Sequence, residues 1–341
     1  MKFNKKYTME LVEKILKIDS PSGFTKNAID YLKKEAEHLG FKTSVTQKGN
    51  LIIEVEGKNQ EAKGVCAHAD TLGLMVRSIK ADGKLAVTKV GGPIMNTLDG
   101  EYCRIYTRDG KVYTGTILSN SPSIHVYKDA TTLERNEDTM EVRIDEIVKN
   151  KEDVEKLGIH HGDFIAIEPN VEITPSGFIK SRFLDDKLSV AILFSVLEQI
   201  SSSKMKLSHK TYFMITVFEE VGHGGAWIPS DITELLGVDM GCIGTDLACT
   251  EYDVSICAKD SSGPYDYEMT SKLIDIAKKN KLNYAVDIYP MYGSDVSTAL
   301  RSSNNIKGAL IGPGVHASHG MERSHIQAVE SSVQLLLEYV K

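Results

Sequence analysis

The sequence predicts an α/β fold, with a mostly parallel sheet flanked by helices and a small β domain inserted into it. After residue 181, helix-like and strand-like segments alternate, as in sheets that helices cover on both faces. Between about 74 and 175 the chain has short alternating runs separated by Asp-Gly turns, which are typical of antiparallel hairpins. We therefore expect a discontinuous α/β domain, residues 1–74 and 176–341, interrupted by a β domain at 75–175.

The chain before the inserted domain predicts two helices followed by strands. Apolar residues recur at helical spacing, Thr25 is placed to cap the second helix, and Gly40 is placed to end it. The predicted elements are helices over 7–18 and 25–39 and strands over 41–46, 51–55 and 64–68.

The chain after the inserted domain opens with a buried helix over 186–200, since this segment is apolar nearly all round. The elements predicted after it are strands over 210–218, 241–246, 254–258, 284–288 and 307–311, and helices over 266–280, 295–302 and 325–340. Strands alternating with helices favour parallel pairing.

Charge and cysteine content restrict the class of protein. The net charge of −7, without a long basic run, argues against nucleic acid as a partner. The five cysteines are odd in number and form no CxxC pair, so reduced thiols are expected. No window has the ~18 apolar residues of a membrane span, and Met1–Lys6 lacks the apolar core of a signal peptide. These observations predict a cytoplasmic protein without a membrane partner.

Five short segments carry metal-ligand side chains where a strand ends or a helix begins, which is where ligands gather in open α/β sheets. The first is His68-Ala69-Asp70, closing an apolar run. A carboxylate two residues after a histidine can orient its ring, so His68 is a candidate ligand and Asp70 its support. Alone, this pattern is also compatible with a purely structural role.

The second and third segments are pairs of acids. Asp185-Asp186 precedes the buried helix, where either acid could cap the helix or bind metal. We assign a bridging role between two ions to Asp185, with Asp186 supporting it. Glu219-Glu220 follows an apolar strand and precedes a glycine-rich turn, and buried charges in such a place need a partner or a metal. Glu220 is therefore a candidate ligand, and Glu219 the group that acts on water.

The fourth segment ends in Asp246, a candidate terminal ligand after the apolar stretch 240–243. The fifth contains His316, His319 and His325 within ten residues, and spacing alone does not decide which of them binds metal. Together the segments offer two imidazoles and three carboxylates. That set suits two divalent ions per subunit, with zinc first and cobalt or manganese as alternatives.

The order of these motifs resembles the dinuclear metallo-exopeptidases, and in particular the tetrahedral dodecameric aminopeptidases, which include glutamyl and deblocking enzymes and some formerly described as endoglucanases. The resemblance spans nearly the whole chain. It rests on Ala67-His68-Ala69-Asp70, Leu184-Asp185-Asp186-Lys187, Glu219-Glu220-Val221-Gly222 and the segment 157–163. The last of these resembles the family's inserted barrel-like or PDZ-like domain, so His160 and His161 are assigned to structure.

The resemblance implies a role for each candidate. His68 and Asp246 would hold one metal, Glu220 and His319 the other, Asp185 would bridge them, and Glu219 would be the general base. It also implies peptide substrates and a homo-oligomer of twelve subunits. Three positions depart from the family pattern: Thr71, Lys187 and the stretch from His316 to Glu322. Because Glu322 follows His319 closely, His319 is preferred over His316.

Two alternative enzymes remain at this stage. A deacylase or carboxypeptidase would keep the same metal site and change the substrate. A glycosidase would use the paired acids, but such an enzyme needs one acid and one base at a set distance and has no use for two histidines. The expected activity is therefore metal-dependent removal of N-terminal residues from peptides.

Overall fold

The computed structural model describes residues 3–341, apart from the side chain of Gln60. Met1 and Lys2, which open the segment predicted to lack a signal peptide, lie outside the described residues. The chain divides into two compact units, one comprising Met1–Asp70 and Asn170–Lys341 and the other Thr71–Pro169. The domain boundaries predicted from sequence lay at 74/75 and 175/176.

The helices are α1 (Lys5–Leu16), α2 (Lys26–His38), α3 (Lys151–Leu157), α4 (Leu184–Ser203), α5 (Tyr267–Lys279), α6 (Asp295–Arg301) and α7 (Ile326–Val340). The strands are β1 (Lys42–Val45), β2 (Leu51–Val55), β3 (Gly57–His68), β4 (Gly73–Ile79), β5 (Leu85–Val90), β6 (Tyr102–Tyr106), β7 (Val112–Ser119), β8 (Met140–Ile144), β9 (Phe164–Ile167), β10 (Glu172–Ile173), β11 (Phe178–Ser181), β12 (Leu207–Thr216), β13 (Ile232–Val238), β14 (Gly241–Cys242), β15 (Val254–Asp260), β16 (Gly263–Pro264), β17 (Tyr284–Ile288), β18 (Lys307–Val315) and β19 (Glu322–His325).

The first unit is built on a ten-stranded sheet with the order β1-β2-β12-β3-β13-β18-β15-β16, to which β14 and β17 add at β18 and β15. The central strands β12, β3, β13 and β18 are parallel to one another, whereas β1 and β2 on one side and β15 and β16 on the other pair antiparallel to their neighbours. The predicted α/β class, with a sheet flanked by helices, is confirmed.

Helix α4 is the central helix of this unit. It is buried along nearly its whole length, contacts β3, β13 and β18, and packs against α1 and α7. The nearly all-round apolar pattern of its sequence therefore has a direct cause, since solvent reaches little of its surface. On the sheet, a cluster of buried side chains that includes Cys66, Met214 and Leu235 packs against Val296 and Ala299 of α6.

The second unit is a closed barrel of six antiparallel strands in the order β4-β5-β8-β7-β6-β9. Its interior consists of side chains from alternate strand positions, such as Leu74, Val76, Ile105 and Ile165, which are all 0–1% exposed. The predicted β-barrel-like insertion is thus observed as a barrel.

The hairpin β10–β11 belongs to the first unit, because β11 pairs with β19 to form a three-stranded sheet. Its residues 172–175 were predicted to lie in the inserted domain.

Within residues 3–341, none of the helices combines the length and the apolar character that a membrane span requires.

Candidate active site and metal centre

The candidate residues follow the carboxyl ends of four neighbouring parallel strands. His68 ends β3, Glu219 and Glu220 follow β12, Asp239 follows β13 directly, and His319 follows β18. Because parallel strands end at the same edge of a sheet, these side chains gather at one place. The start of α4 adds Asp185 and Asp186 to the same place.

His68 is 2% exposed and lies between two sets of acceptors. Its Nε2 atom is 3.2 Å from Oδ1 of Asp185 and 3.7 Å from Oε2 of Glu219. Its Nδ1 atom is 3.0 Å from the main-chain oxygen of Asp70 and 3.5 Å from the Asp70 carboxylate. A proton on Nδ1 would therefore be held by Asp70, which leaves Nε2 as the nitrogen that can bind a metal.

Asp70 also positions the two glutamates. Its buried carboxylate accepts hydrogen bonds from the Ser22 hydroxyl at 2.5 Å and from the main-chain N–H groups of Glu219 at 3.1 Å and Glu220 at 3.3 Å. The sequence suggested that Asp70 orients His68. The structure adds that Asp70 ties the Glu219-Glu220 turn to the end of β3.

Glu322 is a second buried acid that supports the site, because it fixes the backbone of Asp185 and His319. Its Oε2 accepts from the N–H of Asp185 at 3.0 Å, and its Oε1 accepts from the N–H of His319 at 2.9 Å. His319 in turn has its Nε2 3.7 Å from both Oδ2 of Asp185 and Oε2 of Glu220. His316 is exposed, and a main-chain bridge pairs it with Arg323. The geometry therefore favours His319 over His316, as the sequence did.

The turn after Glu220 is held by Asp295, which sequence reasoning missed. Its carboxylate accepts hydrogen bonds from the Thr216 hydroxyl and from the N–H of Gly225. A side chain at Gly225 would collide with the Asp295 main chain, since an added Cβ would lie 2.3 Å from its carbonyl oxygen. The glycines after Glu220 therefore allow α6 to approach the turn closely. The available signal was an acid in the first turn of a helix capped by Ser294.

Two groups of side chains could each hold a cation, and both contain His68. One is His68, Asp185 and Glu220, and the other is His68, Asp186 and Asp239; in each group the potential ligand atoms lie within 4.8 Å of one another. Asp246, which the sequence suggested as a ligand, belongs to neither group and is exposed, with a φ of 64°. The structure thus places Asp246 outside both groups and brings Asp239 into one of them, so Asp239 becomes the candidate ligand.

The difference between the two aspartates arises from a strand that the sequence analysis missed. A strand was expected over 241–246, so the acid at its end was chosen. In the structure only the short strand β14 (Gly241–Cys242) lies in that range. The longer buried strand is β13 (Ile232–Val238), and the acid directly after β13 is Asp239, only 6% exposed. The rule of looking just after a buried strand was sound, and the apolar run Leu235–Val238 was the signal that could have located it.

The electrostatics of the site fit a bound cation. Burial raises the pKa values of Glu219, Glu220 and Asp186, and the opposing effect of His68 does not offset it. Burial alone would lower the pKa of His68, but its contacts with Asp185 and Asp70 raise it well above the usual range. The buried carboxylates thus outnumber the groups that can carry positive charge, an arrangement that is costly unless metal balances it.

Unpaired atoms in the centre support the same conclusion. Oδ1 of Asp186 and Oε1 of Glu220 are buried and have no hydrogen-bond partner within residues 3–341. Buried oxygens of this kind are rare in folded proteins unless an ion or water satisfies them. Carboxylates with imidazoles are the donors that zinc, cobalt and manganese accept. The residues present therefore fit divalent metal.

Three other histidines lie away from the centre. His223 is exposed, and its ring stacks on Phe218 with 4.8 Å between ring centroids. His160 and His161 are exposed residues of the unit that forms the barrel.

An acidic, imidazole-containing centre at the ends of the parallel strands of an α/β sheet is typical of metal-dependent hydrolases. The family model for M42 glutamyl aminopeptidase matches residues 49–335, so the chain belongs to this family of metal-dependent peptidases. The predicted family, the aminopeptidase function and the hydrolase class are confirmed. The family assignment does not favour the deacylase, carboxypeptidase and glycosidase alternatives.

A close relative agrees with this assignment, and solved structures share the fold. The chain is 47% identical to YhfE of Bacillus subtilis (strain 168), which bears the name of an aminopeptidase, over 98% of this chain and 97% of the relative. The fold is similar to that of a TET aminopeptidase from a marine sediment archaeon of the Thaumarchaeota, with a TM-score of 0.89, 19% identity, and 98% and 96% of the two chains covered. It is also similar to the TET1 peptidase of Pyrococcus horikoshii, which can assemble into a tetrahedron or a large octahedral shell, with a TM-score of 0.85, 23% identity, and 98% and 99% covered.

Proposed function

We propose that the chain removes N-terminal residues from peptides with two divalent ions per subunit, and that Glu219 is the general base. The observation that carries the proposal is the Asp185 carboxylate, whose Oδ1 lies 3.2 Å from Nε2 of His68 and whose Oδ2 lies 3.7 Å from Nε2 of His319, beside buried oxygens of Asp186 and Glu220 that have no partner within residues 3–341. Zinc is the first candidate, and cobalt and manganese are alternatives, because imidazole and carboxylate ligands suit all three.

The contacts support one assignment of the ligands. His68 and Asp239 would hold one ion, Glu220 and His319 would hold the other, and Asp185 would contact both. In support, Oδ1 of Asp185 lies next to His68, whereas its Oδ2 lies next to His319, so the two oxygens of one carboxylate face the two halves of the centre. Asp186 supports the first half by accepting the N–H of His68 at 3.1 Å.

Glu219 is placed to move protons. It lies beside the candidate ligands, its main chain is fixed by Asp70, and its side chain is 16% exposed, more than those of Asp185 and Glu220. Burial raises its pKa, which makes the carboxylate a stronger base than an exposed glutamate. When bound, divalent ions acidify water and polarise the scissile carbonyl. Glu219 would accept the proton of the attacking water at its Oε2 side and return it to the leaving amine.

A closed homo-oligomer is part of the proposal. It is supported by the sequence resemblance to the dodecameric aminopeptidases and by the fold shared with a peptidase that can assemble into a tetrahedron or an octahedral shell. In such a shell the active sites would face an enclosed chamber, so peptides would have access and folded proteins would not. Light scattering of the purified chain would give the mass of the assembly, and a monomeric species at working concentration would contradict this part.

One experiment tests the reaction and the metal together. The metal-loaded protein is given a panel of aminoacyl reporters and, in parallel, the same amino acids with acylated amines. Hydrolysis of the free-amine reporters alone is expected, with activity lost after chelation and restored by zinc, cobalt or manganese. Activity that survives complete metal removal, or cleavage of the acylated series alone, would overturn the proposal. The cytoplasmic location predicted from the sequence stays a prediction.

A further inference from the structure

Tyr292 has a hydroxyl group that the site described so far does not use. The residue follows β17 (Tyr284–Ile288) and comes two positions before Ser294, the cap of α6, whose next residue Asp295 holds the turn after Glu220. Its hydroxyl oxygen is buried and has no hydrogen-bond partner within residues 3–341. A buried phenol without a partner is unusual, because burial removes its hydrogen bonds to water and nothing replaces them.

The phenol is held firmly and faces the metal centre. The N–H of Tyr292 donates to Oγ of Ser261 at 2.8 Å, its carbonyl accepts from the N–H of Ser261 at 3.1 Å, and its ring packs edge-on against Tyr289 at 5.0 Å between centroids. The hydroxyl is directed toward the Asp239 carboxyl, without a hydrogen bond of ordinary length between them, and the carboxyls of Asp185 and Glu219 are also among its neighbours.

The metal centre contains many hydrogen-bond acceptors, and most of its hydrogen-bond donors are already in use. Five main-chain N–H groups of the candidate residues and their neighbours already donate to buried carboxylates. The hydroxyl of Tyr292 is therefore a donor that stays available for an incoming substrate. In peptide hydrolysis, water adds to the carbonyl carbon, the electron pair of the C=O bond moves to oxygen, and this oxygen then needs donors.

We propose that Tyr292 is a catalytic residue whose hydroxyl donates a hydrogen bond to the oxygen of the scissile carbonyl as negative charge develops there. This inference rests on the proposed function. The oxygen returns its electron pair to carbon when the C–N bond breaks and Glu219 protonates the leaving amine. Tyr292 keeps its proton throughout, so its contribution is a contact that strengthens in the transition state.

The test compares Tyr292→Phe with Tyr289→Phe. Both variants remove one buried phenol oxygen from the same aromatic pair, but the hydroxyl of Tyr289 already donates to Oγ of Ser255 at 2.5 Å. Three quantities are measured on each metal-loaded protein: kcat and KM on the best aminoacyl reporter, metal content by elemental analysis, and the Kd values of an α-amino boronic acid, which mimics the tetrahedral state, and of the free amino acid product.

For Tyr292→Phe, kcat should fall on the order of 100-fold, with little change in KM, since one oxyanion donor has about this effect. The boronic acid should lose affinity by a similar factor, while amino acid affinity and metal content stay at wild-type values. Tyr289→Phe should match wild type in all three. Loss of metal from Tyr292→Phe would show that the phenol serves Asp239 and would overturn the inference, as would unchanged kcat or a change in KM alone.

Two provisions keep the result decisive. If Tyr292→Phe does not fold, Tyr292→His replaces it; imidazole is shorter than phenol, so selective loss of boronic acid affinity is again expected, and its absence overturns the inference. The wild-type protein is assayed first. An inactive or chelator-insensitive wild type contradicts the proposed function, whereas an active, metal-dependent wild type with a normal Tyr292→Phe variant contradicts only the role of Tyr292.

Discussion

Replacing Asp239 by asparagine should have opposite effects on the metal-free and the metal-loaded protein. Asp239 is 6% exposed and lies with His68 and Asp186. Burial and the Asp185 charge raise its pKa from the ordinary 3.8 to about 7. At about 1.4 kcal/mol for each pH unit between these values, holding this carboxylate charged above pH 7 costs on the order of 4 kcal/mol. This is an upper limit, because part of the electrostatic cost belongs to the neighbouring carboxyls.

The sign of the effect follows from the protonation states. Below about pH 4 the carboxyl is protonated in the folded and unfolded chain, so the charge that asparagine removes is absent. As pH rises from 4 to 7 the unfolded chain ionises first, the folded wild type loses stability, and the Asp239→Asn variant does not. Metal-free Asp239→Asn should therefore resist urea better than wild type at pH 8, with the difference vanishing near pH 4. Urea unfolding of chelated protein at several pH values measures this.

With metal the order should reverse. Zinc stabilises the wild type by mass action, whereas the variant lacks a charged ligand. Its affinity for one zinc should fall by more than the 10–100-fold that loss of a supporting partner costs. The matched control is Asp246→Asn, which removes an exposed aspartate outside both candidate groups and should change neither property. If Asp246→Asn loses zinc while Asp239→Asn keeps it, the reasoning from the end of β13 is refuted.

Three other perturbations separate the roles of the remaining groups. Glu219→Gln should reduce kcat by about 10²–10⁴-fold with full metal content, because an amide cannot accept the proton of water; normal turnover would remove Glu219 as the base. Asp185→Asn should lower the metal content measured by elemental analysis, since it loses the charge proposed to lie between the ions, and two retained ions would contradict that role. Glu322→Gln should weaken metal binding roughly 10–100-fold by loosening the backbone of Asp185 and His319, whereas wild-type affinity would show that these contacts do not position the ligands.

Most of the candidate site could be predicted from the sequence because its chemistry is concentrated in short motifs. His68, Asp185, Glu219 and Glu220 lie directly at element ends, where local patterns are readable, and the structure brings them together. The position of His319 was harder to predict. It depends on a backbone φ of 64° at His319 itself, whose N–H is held by Glu322. Such a backbone conformation cannot be read from residue types alone.

The parts that sequence did not predict depend on contacts distant in the chain. Asp239 was missed because β13 is identified by its pairing with β3 and β18 more than by its own alternation. The supporting role of Asp295 depends on α6 approaching the turn at Gly225, and the hairpin β10–β11 belongs to the first unit because β19 pairs with it. Tyr292 became a candidate only when its unpaired hydroxyl was seen beside the acids.

The central claim is that acids and imidazoles from five segments hold two cations around one shared carboxylate. The most direct test is anomalous diffraction from crystals of the zinc-loaded protein, recorded at the zinc edge. Two peaks about 3.5–4 Å apart are expected, one contacting His68 and Asp239, the other contacting Glu220 and His319, with Asp185 in contact with both. A single peak, a peak beside Asp246, or two peaks that do not share Asp185 would contradict the account.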